Sequence, residues 1–102
     1  MGESKKQIWD EIHEKDVKDE KRVKEWLKRK GFEIKYWHKG KRSNMPYDIK
    51  AEKHNKKWII EVKGGHTPKI KLENFRKMLT DKSVDVVGLA LVIDRHPYLI
   101  IV

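Results

Sequence analysis

Residues 47–63, YDIKAEKHNKKWIIEVK, determine the fold of this chain of 102 residues. Two runs of strand-forming residues, 47–52 and 57–63, are separated in this stretch by a polar turn. The turn contains Asn55, and Asn tolerates the positive φ that a tight hairpin requires. The stretch therefore predicts an antiparallel β-hairpin.

The register of this hairpin is expected to bring charged side chains together. If Lys53 pairs with Lys56, each step back along the first strand matches a step forward along the second. Asp48 then stands opposite Glu61, and Lys63, two residues further on, lies on the same face as Glu61. We expect these three side chains to form a polar cluster on a rigid hairpin.

The segments on either side of the hairpin predict an α/β fold, with a mixed sheet flanked by helices. Val23, Trp26 and Leu27 recur at helical spacing, and Gly31 is placed to end that helix in a left-handed conformation. The predicted elements are a helical region over 5–30, as one bent helix or two, strands over 32–37, 47–52 and 57–63, a helix over 71–81, and strands over 84–94 and 97–102.

The elements that follow the hairpin carry two predictions about burial. We expect Leu72, Phe75, Met78 and Leu79 to face inward from the second helix. The last two strands are nearly continuous in Val, Leu and Ile, which is typical of strands covered on both faces. The cover would be provided by helices or by a partner subunit.

The composition predicts one globular domain over residues 1–102, with residues 1–15 as an N-terminal helical extension. The chain has 25 Lys and Arg against 16 Asp and Glu, a net charge of +9. Such an imbalance favours nucleic acid as a partner, whereas surface ion-pair networks explain the high total charge but not the excess.

The absence of cysteine and of long apolar runs narrows the classes of protein further. Without cysteine the chain forms neither disulfides nor thiolate metal sites. The N-terminal segment has no apolar run, and no run elsewhere is long enough to span a bilayer. We therefore predict a cytoplasmic protein that does not associate with membranes.

Two carboxylates that face each other repel strongly unless a cation lies between them or one of them takes up a proton. Carboxylate oxygens are hard ligands suited to Mg²⁺, an ion that can activate water and stabilise a phosphodiester during cleavage. Lys63 would add a positive charge beside Asp48 and Glu61. The simpler interpretation is that Glu61 and Lys63 form a solvated pair, because the E-x-K triplet alone is weak evidence in a Lys-rich chain.

Asp48 and, after a gap of twelve residues, the triplet Glu61-Val62-Lys63 resemble the motif of the PD-(D/E)xK nuclease superfamily. This superfamily includes many restriction enzymes, Mrr-like endonucleases and archaeal Holliday-junction resolvases. The resemblance implies a restriction-endonuclease-like fold for this chain and hydrolysis of DNA phosphodiester bonds that leaves a 5′-phosphate.

The resemblance extends upstream of the hairpin. In the resolvase and Mrr-like branches a helical Glu precedes a helix-ending Gly-aromatic pair by eleven residues, and Glu20 precedes Gly31 by the same interval here. Glu20 would point toward the sheet, because it shares a helix face with Val23. The chain departs from the nominal motif at Tyr47, which separates Pro46 from the Asp of the hairpin.

The resemblance implies a role for each of these residues. Asp48 and Glu61 would bind Mg²⁺, with Mn²⁺ as a substitute, and the Val62 carbonyl would complete the coordination. Lys63 would assist the attacking water, and Glu20 would bind a second metal ion or a water held by the metal. The alternative is that Glu20 is an ordinary charged residue on the exposed face of the helix. No small-molecule cofactor is expected.

The basic loop after the first strand is predicted to contact DNA. Lys39, Lys41 and Arg42 are expected to contact phosphates beside the site. Ser43 occupies a place where some junction resolvases have a functional Ser. The alternative for each of the four is an ordinary solvated loop residue.

Among the relatives that the motif suggests, small single-domain members with this order of elements look most like junction resolvases. Such enzymes work as homodimers, so that two sites cut two strands, and the apolar last strands are a candidate interface. The alternatives are a restriction or repair nuclease acting on duplex or flapped DNA, and a DNA-binding module that kept the fold without cutting. An RNA-binding role is disfavoured, because the usual aromatic recognition motifs are missing.

Overall fold

The fold is seen in a computed structural model that describes residues 18–37, 46–64 and 72–102. Helix α1 is observed over residues 18–29, and helix α2 spans Leu72–Leu79. The strands are β1 (Glu33–Trp37), β2 (Ile49–Lys53), β3 (Lys56–Gly64), β4 (Val86–Ile93) and β5 (His96–Ile101).

The five strands form one mixed sheet in the order β1-β2-β3-β4-β5. Three of the neighbouring pairs are antiparallel, and β3 and β4 are parallel. A parallel pair requires a connection that crosses from one end of the sheet to the other, and the connection between β3 and β4 contains α2. The predicted α/β class, with a mixed sheet and helices, is confirmed.

Helix α1 ends as its sequence predicts. The Phe32 N–H donates to the Leu27 carbonyl and the Gly31 N–H donates to the Lys28 carbonyl, both at 3.0 Å, which is the pair of bonds of a Schellman motif. Gly31 has a φ of 93°, a conformation that residues with a Cβ rarely adopt. The chain therefore leaves the helix sharply and enters β1 with Phe32 buried.

Both tight hairpins turn on two consecutive residues with positive φ. The values are 54° and 62° at His54 and Asn55, and 49° and 66° at Asp94 and Arg95. Two such residues form a type I′ turn, whose twist matches that of the flanking strands. The predicted pairing of the two lysines around the first turn is confirmed. The connection between the strands over 84–94 and 97–102 was predicted, but its turn type was not, because Asp94-Arg95 lacks the Asn or Gly that marks such turns.

Two buried clusters lie on opposite faces of the sheet. On one face Val23 of α1 packs with Ile60 and Val62 of β3. On the other face Met78 of α2 packs with Ile59. Because neighbouring side chains along a strand point to opposite faces, β3 contributes alternately to the two clusters.

The prediction that Leu72 and Leu79 face inward is wrong. They are 83% and 55% exposed, whereas Met78 is fully buried and Phe75 packs beside it. A helix has about 3.6 residues per turn, so Leu72 and Leu79 lie on the flank of Phe75 that is opposite Met78. The eight-residue helix buries only the narrow stripe between Phe75 and Met78.

The prediction that both C-terminal strands are covered is confirmed for β4 alone. Five of the eight β4 residues, and Leu89 among them, are buried. In β5, by contrast, Tyr98, Ile100 and Ile101 are exposed in the single chain. The strand lies at the edge of the sheet, where a neighbouring strand covers it on one side only.

Two predicted segments, the N-terminal extension over 1–15 and the basic loop after β1, lie outside the described residues. Within the described residues, neither helix has the length and apolar character needed to cross a membrane.

Replacing Gly31 by Ala is expected to lower the free energy of unfolding by about 1–2 kcal/mol, because a Cβ is unfavourable at positive φ. Gly31→Asn is expected to cost less, since Asn tolerates this conformation. Urea denaturation measures both, with Lys30→Ala as the control one residue earlier. A Gly31→Ala protein as stable as the wild type would contradict the left-handed helix end.

Candidate active site

Asp48 lies immediately before β2 and is held by the backbone of β3. Its N–H donates to the Ile60 carbonyl at 3.0 Å. Its carboxylate Oδ2 accepts a hydrogen bond from the Val62 N–H at 2.7 Å. The carboxylate therefore occupies the position that a strand carbonyl would take in a continued ladder, and the sheet itself fixes the direction of the side chain.

The pairing of β2 with β3 changes at this point. The strands pair in one register as far as Ile49 and Ile60, and the Asp48 N–H then donates to the same Ile60 carbonyl. Two successive residues thus face one residue of β3, an irregularity of the bulge kind that re-aims a side chain. Asp48 and Glu61 do lie close together, as predicted, since the Asp48 charge contributes to the raised pKa of Glu61, but the irregularity replaces the strictly opposite pairing that the register predicts.

Glu61 and Lys63 lie on the same face of β3, as predicted. The distance from Lys63 Nζ to Glu61 Oε1 is 3.4 Å. The Glu61 side chain is 9% exposed and that of Lys63 is 31% exposed. The carboxyl is therefore largely removed from water, while the ammonium group beside it reaches the surface.

The surroundings of Glu61 disfavour its ionised form. Its pKa is raised to about 7, chiefly by burial and then by the neighbouring Asp48 charge, whereas the Lys63 ammonium group opposes this increase. One ammonium group is thus insufficient to compensate for two carboxyls and the loss of water. A divalent cation beside both carboxyls would remove the repulsion and restore the ionised form of Glu61.

The oxygen atoms present fit a divalent cation that needs few protein ligands. The N–H and carbonyl of one strand residue project to the same edge, so the Val62 carbonyl faces the side on which Asp48 lies. Mg²⁺ uses one or two carboxylates and fills its remaining positions with water or phosphate oxygens. Among residues 18–37, 46–64 and 72–102, no three His, Cys, Asp or Glu side chains converge on one point. Asp48 and Glu61 thus supply the two carboxylates that are sufficient to bind Mg²⁺.

Helix α1 places Glu20 against the sheet, as its spacing from Val23 predicts. Glu20 is 7% exposed, so the alternative of an ordinary exposed helix charge is excluded. The helix covers the sheet face of Val62, whereas strand alternation directs Glu61 toward the opposite face. Glu20 therefore approaches the end of β3 from the α1 side, and its role as a ligand stays a prediction.

Asp19 is a residue that the sequence did not single out. It is buried, and a Cβ at position 64 would overlap its carboxylate. Gly64 directly follows Lys63, so Asp19 packs on the backbone at the end of the Glu61-Val62-Lys63 triplet. The signal was its spacing of four residues from Val23, which places it on the buried stripe of α1.

The four residues predicted to contact DNA lie within 38–45, outside the described residues. They are Lys39, Lys41, Arg42 and Ser43.

In the metal-free protein, Glu61→Gln is expected to raise the free energy of unfolding at about pH 8 and to change it little at about pH 5. The folded-state pKa of Glu61 is raised from 4.5 to about 7, so the stability of its neutral form is complete below pH 4.5 and is lost as the pH rises through about 7. Gln does not ionise and retains that stability.

Urea denaturation in the presence of EDTA measures this difference. Glu52→Gln, on the neighbouring strand β2, is the control for removing a carboxylate. The same effect of Glu61→Gln at both pH values would contradict the pKa shift.

Comparisons of the chain with protein-family models, with curated proteins and with solved structures find no match. The resemblance to nucleases therefore rests on the sequence motif and stays a prediction.

Proposed function

We propose that the protein is an Mg²⁺-dependent endonuclease that hydrolyses phosphodiester bonds in DNA. The observation that carries this proposal is the cluster of two carboxyls and one ammonium group at the end of β3. The Asp48 carboxylate is held by the Val62 N–H at 2.7 Å, and Lys63 Nζ lies 3.4 Å from Glu61. A rigid cluster of this composition is suited to a cation and a phosphate.

Asp48 and Glu61 would hold the cation, together with the Val62 carbonyl. A bound Mg²⁺ supplies a Lewis acid that lowers the pKa of water and stabilises the charge on a phosphate. Lys63 would orient the attacking water or offset the negative charge that develops on the phosphate oxygens. The half-exposed position of its ammonium group gives it access to a substrate arriving from solvent.

The charge of the protein supports DNA as the substrate. A net charge of +9 attracts polyanions, and phosphate contacts supply much of the affinity for nucleic acid. Within this class we propose a junction-selective enzyme, on the strength of the resemblance to resolvases. The absence of cysteine is consistent with the cytoplasm as its place of action.

Asp48→Asn is expected to lower the cleavage rate by about 10²–10³-fold, because the amide keeps an acceptor for the Val62 N–H but loses the charge. The matched control is Asp85→Asn. Asp85 also accepts a backbone hydrogen bond, from the Lys57 N–H at 2.8 Å, but at the opposite end of β3. The measurement is cleavage of a labelled four-way junction and of a linear duplex in Mg²⁺.

The pattern of cleavage distinguishes the candidate functions. Cutting of the junction that is lost in Asp48→Asn alone supports a resolvase-like enzyme, and cutting of the duplex indicates a restriction or repair nuclease. Binding without cleavage of either DNA would overturn the enzymatic proposal in favour of a binding module.

We further propose that the enzyme is a homodimer in which a second copy covers β5. The exposed side chains of this strand and its end include Tyr98, Ile100, Ile101 and Val102. Tyr98, Ile100 and Val102 share one face of the strand and Ile101 lies on the other, and exposed apolar side chains grouped in this way are typical of a protein interface. Two active sites in one particle would allow two DNA strands to be cut.

The backbone of β5 offers a self-complementary edge. The Val102 N–H donates to the Val87 carbonyl at 2.9 Å, which sets the alternation of bonds to β4. Leu99 and Ile101 therefore direct their backbone groups away from β4, and no other strand of the described chain pairs with them. In an antiparallel pair of β5 strands, Leu99 of each copy would bond to Ile101 of the other across a two-fold axis.

Ile100→Lys is expected to convert the dimer to a monomer, because two lysines would be buried beside the two-fold axis. Leu79→Lys is the matched control, since Leu79 is an exposed apolar residue of α2. Sedimentation equilibrium measures the mass of each. A dimer that survives Ile100→Lys and dissociates with Leu79→Lys would place the interface on α2 instead.

A further inference from the structure

Helix α1 separates its charges between its two sides. Asp19 and Glu20 are buried against the sheet. The basic residues, by contrast, lie mainly on the solvent side of the helix. We define the α1 basic strip as its four exposed members, which are Lys18, Lys21, Lys28 and Arg29.

Within residues 18–37, 46–64 and 72–102, little negative charge opposes the strip. The acid on this side of the helix is Glu25, which pairs with Lys24 at 3.5 Å. The helix also contains Arg22, which pairs with Asp19 at 3.6 Å. Within the described parts of the chain, no member of the strip forms an ion pair with a carboxylate.

This pattern differs from that of a surface whose charges serve solubility. Like charges three or four residues apart on a helix repel, and Lys18 and Lys21 are so spaced. On β1, by contrast, Lys35 lies 2.8 Å from Glu33 and 3.7 Å from Glu52. Among the described residues, the strip therefore carries positive charge that no carboxylate pairs with, and a polyanion would neutralise it.

The strip begins at the end of β3 that carries the candidate active site, on the opposite face of the sheet from Glu61, and extends away from that end. The contact between Asp19 and Gly64 joins the first described turn of α1 to the end of the site strand. From Lys18 to Arg29 the helix rises about 17 Å, which is the axial length of about five base pairs. A DNA segment that passes around this end of the sheet and then runs along α1 would meet successive basic residues of the strip.

We propose that the α1 basic strip binds the phosphate backbone of the DNA on which the active site acts. The inference rests on the proposed function in taking DNA as the polyanion. It adds a second contact surface on the helix, separate from the residues that bind the cation. Such contacts position the DNA without reading its sequence.

The test compares two double variants that remove equal charge from exposed lysines. Lys21→Gln with Lys28→Gln alters the strip, and Lys56→Gln with Lys57→Gln alters the hairpin end of β3, far from the site. Binding of a short fluorescent DNA duplex is measured in EDTA over a range of salt concentrations, so that cleavage does not interfere. Circular dichroism establishes that both proteins are folded.

The strip variant is expected to bind about tenfold more weakly near 0.1 M salt, with the slope of log affinity against log salt reduced by about two. The hairpin variant is expected to stay near the wild type. A strip variant with wild-type affinity and slope, or an equal loss in both variants, would overturn the proposal.

Glu25→Gln provides a test of opposite sign. Removing the negative charge of Glu25 from the strip side of α1 is expected to strengthen DNA binding severalfold. Partial unfolding would not produce this result. Unchanged or weaker binding in a folded Glu25→Gln protein would count against the strip.

Cleavage of the same duplex and of a four-way junction in Mg²⁺ separates the two proposals. If the wild type binds and cuts DNA and the strip variant behaves identically, the nuclease proposal is supported and the proposal for the α1 basic strip is overturned. A wild type that neither binds nor cuts either DNA overturns both. Binding that depends on the strip, without cleavage, supports the strip and overturns the nuclease.

Discussion

The hydrogen bond from the Val62 N–H to the Asp48 carboxylate is the contact on which the arrangement of the site depends. It replaces a backbone hydrogen bond of the β-ladder by a bond to a side chain, at the residue directly before the start of β2. The Asp48 carboxylate is thereby fixed beside Glu61, which is itself held in the central strand β3. The fold thus imposes repulsion between two carboxyls and provides one ammonium group, that of Lys63, to offset it. Such an arrangement lowers the stability of the fold. Unfavourable arrangements of this kind are concentrated at functional sites, which is why this one points to a function.

The remaining structure supports this contact from both faces of the sheet. Val23 and Leu27 of α1 share one buried cluster with Ile60 and Val62, and Met78 of α2 packs with Ile59 on the other face, so β3 is held on both sides. Parallel pairing with β4 adds a buried neighbour along nearly its whole length. The rigidity of β3 matters for chemistry, because a cation site and a phosphate site tolerate little displacement of their ligands.

The hairpin and the cluster were predictable from the sequence because their causes are local. Asn55 in a two-residue turn fixes the register, which carries the pairing as far as Ile49 and Ile60, next to Asp48 and Glu61. The bulge-like change at Asp48 was not predictable, since it arises from the competition of a carboxylate with backbone carbonyls. The burial of side chains outside the hairpin was harder to predict, because it depends on how the helices pack on the sheet. The helix pattern did not reveal how α2 is rotated on the sheet, nor that Asp19 packs on Gly64.

The most direct test of the central claim is a measurement of the pKa of the Glu61 carboxyl by carbon-13 NMR, with and without Mg²⁺. The burial of Glu61 and, after it, the neighbouring Asp48 charge predict a pKa of about 7 in the metal-free protein. A cation site at these two residues also predicts a clear decrease of this pKa when Mg²⁺ is added, because the bound cation favours the ionised form. An ordinary carboxyl pKa that Mg²⁺ leaves unchanged would contradict a cation site at this pair.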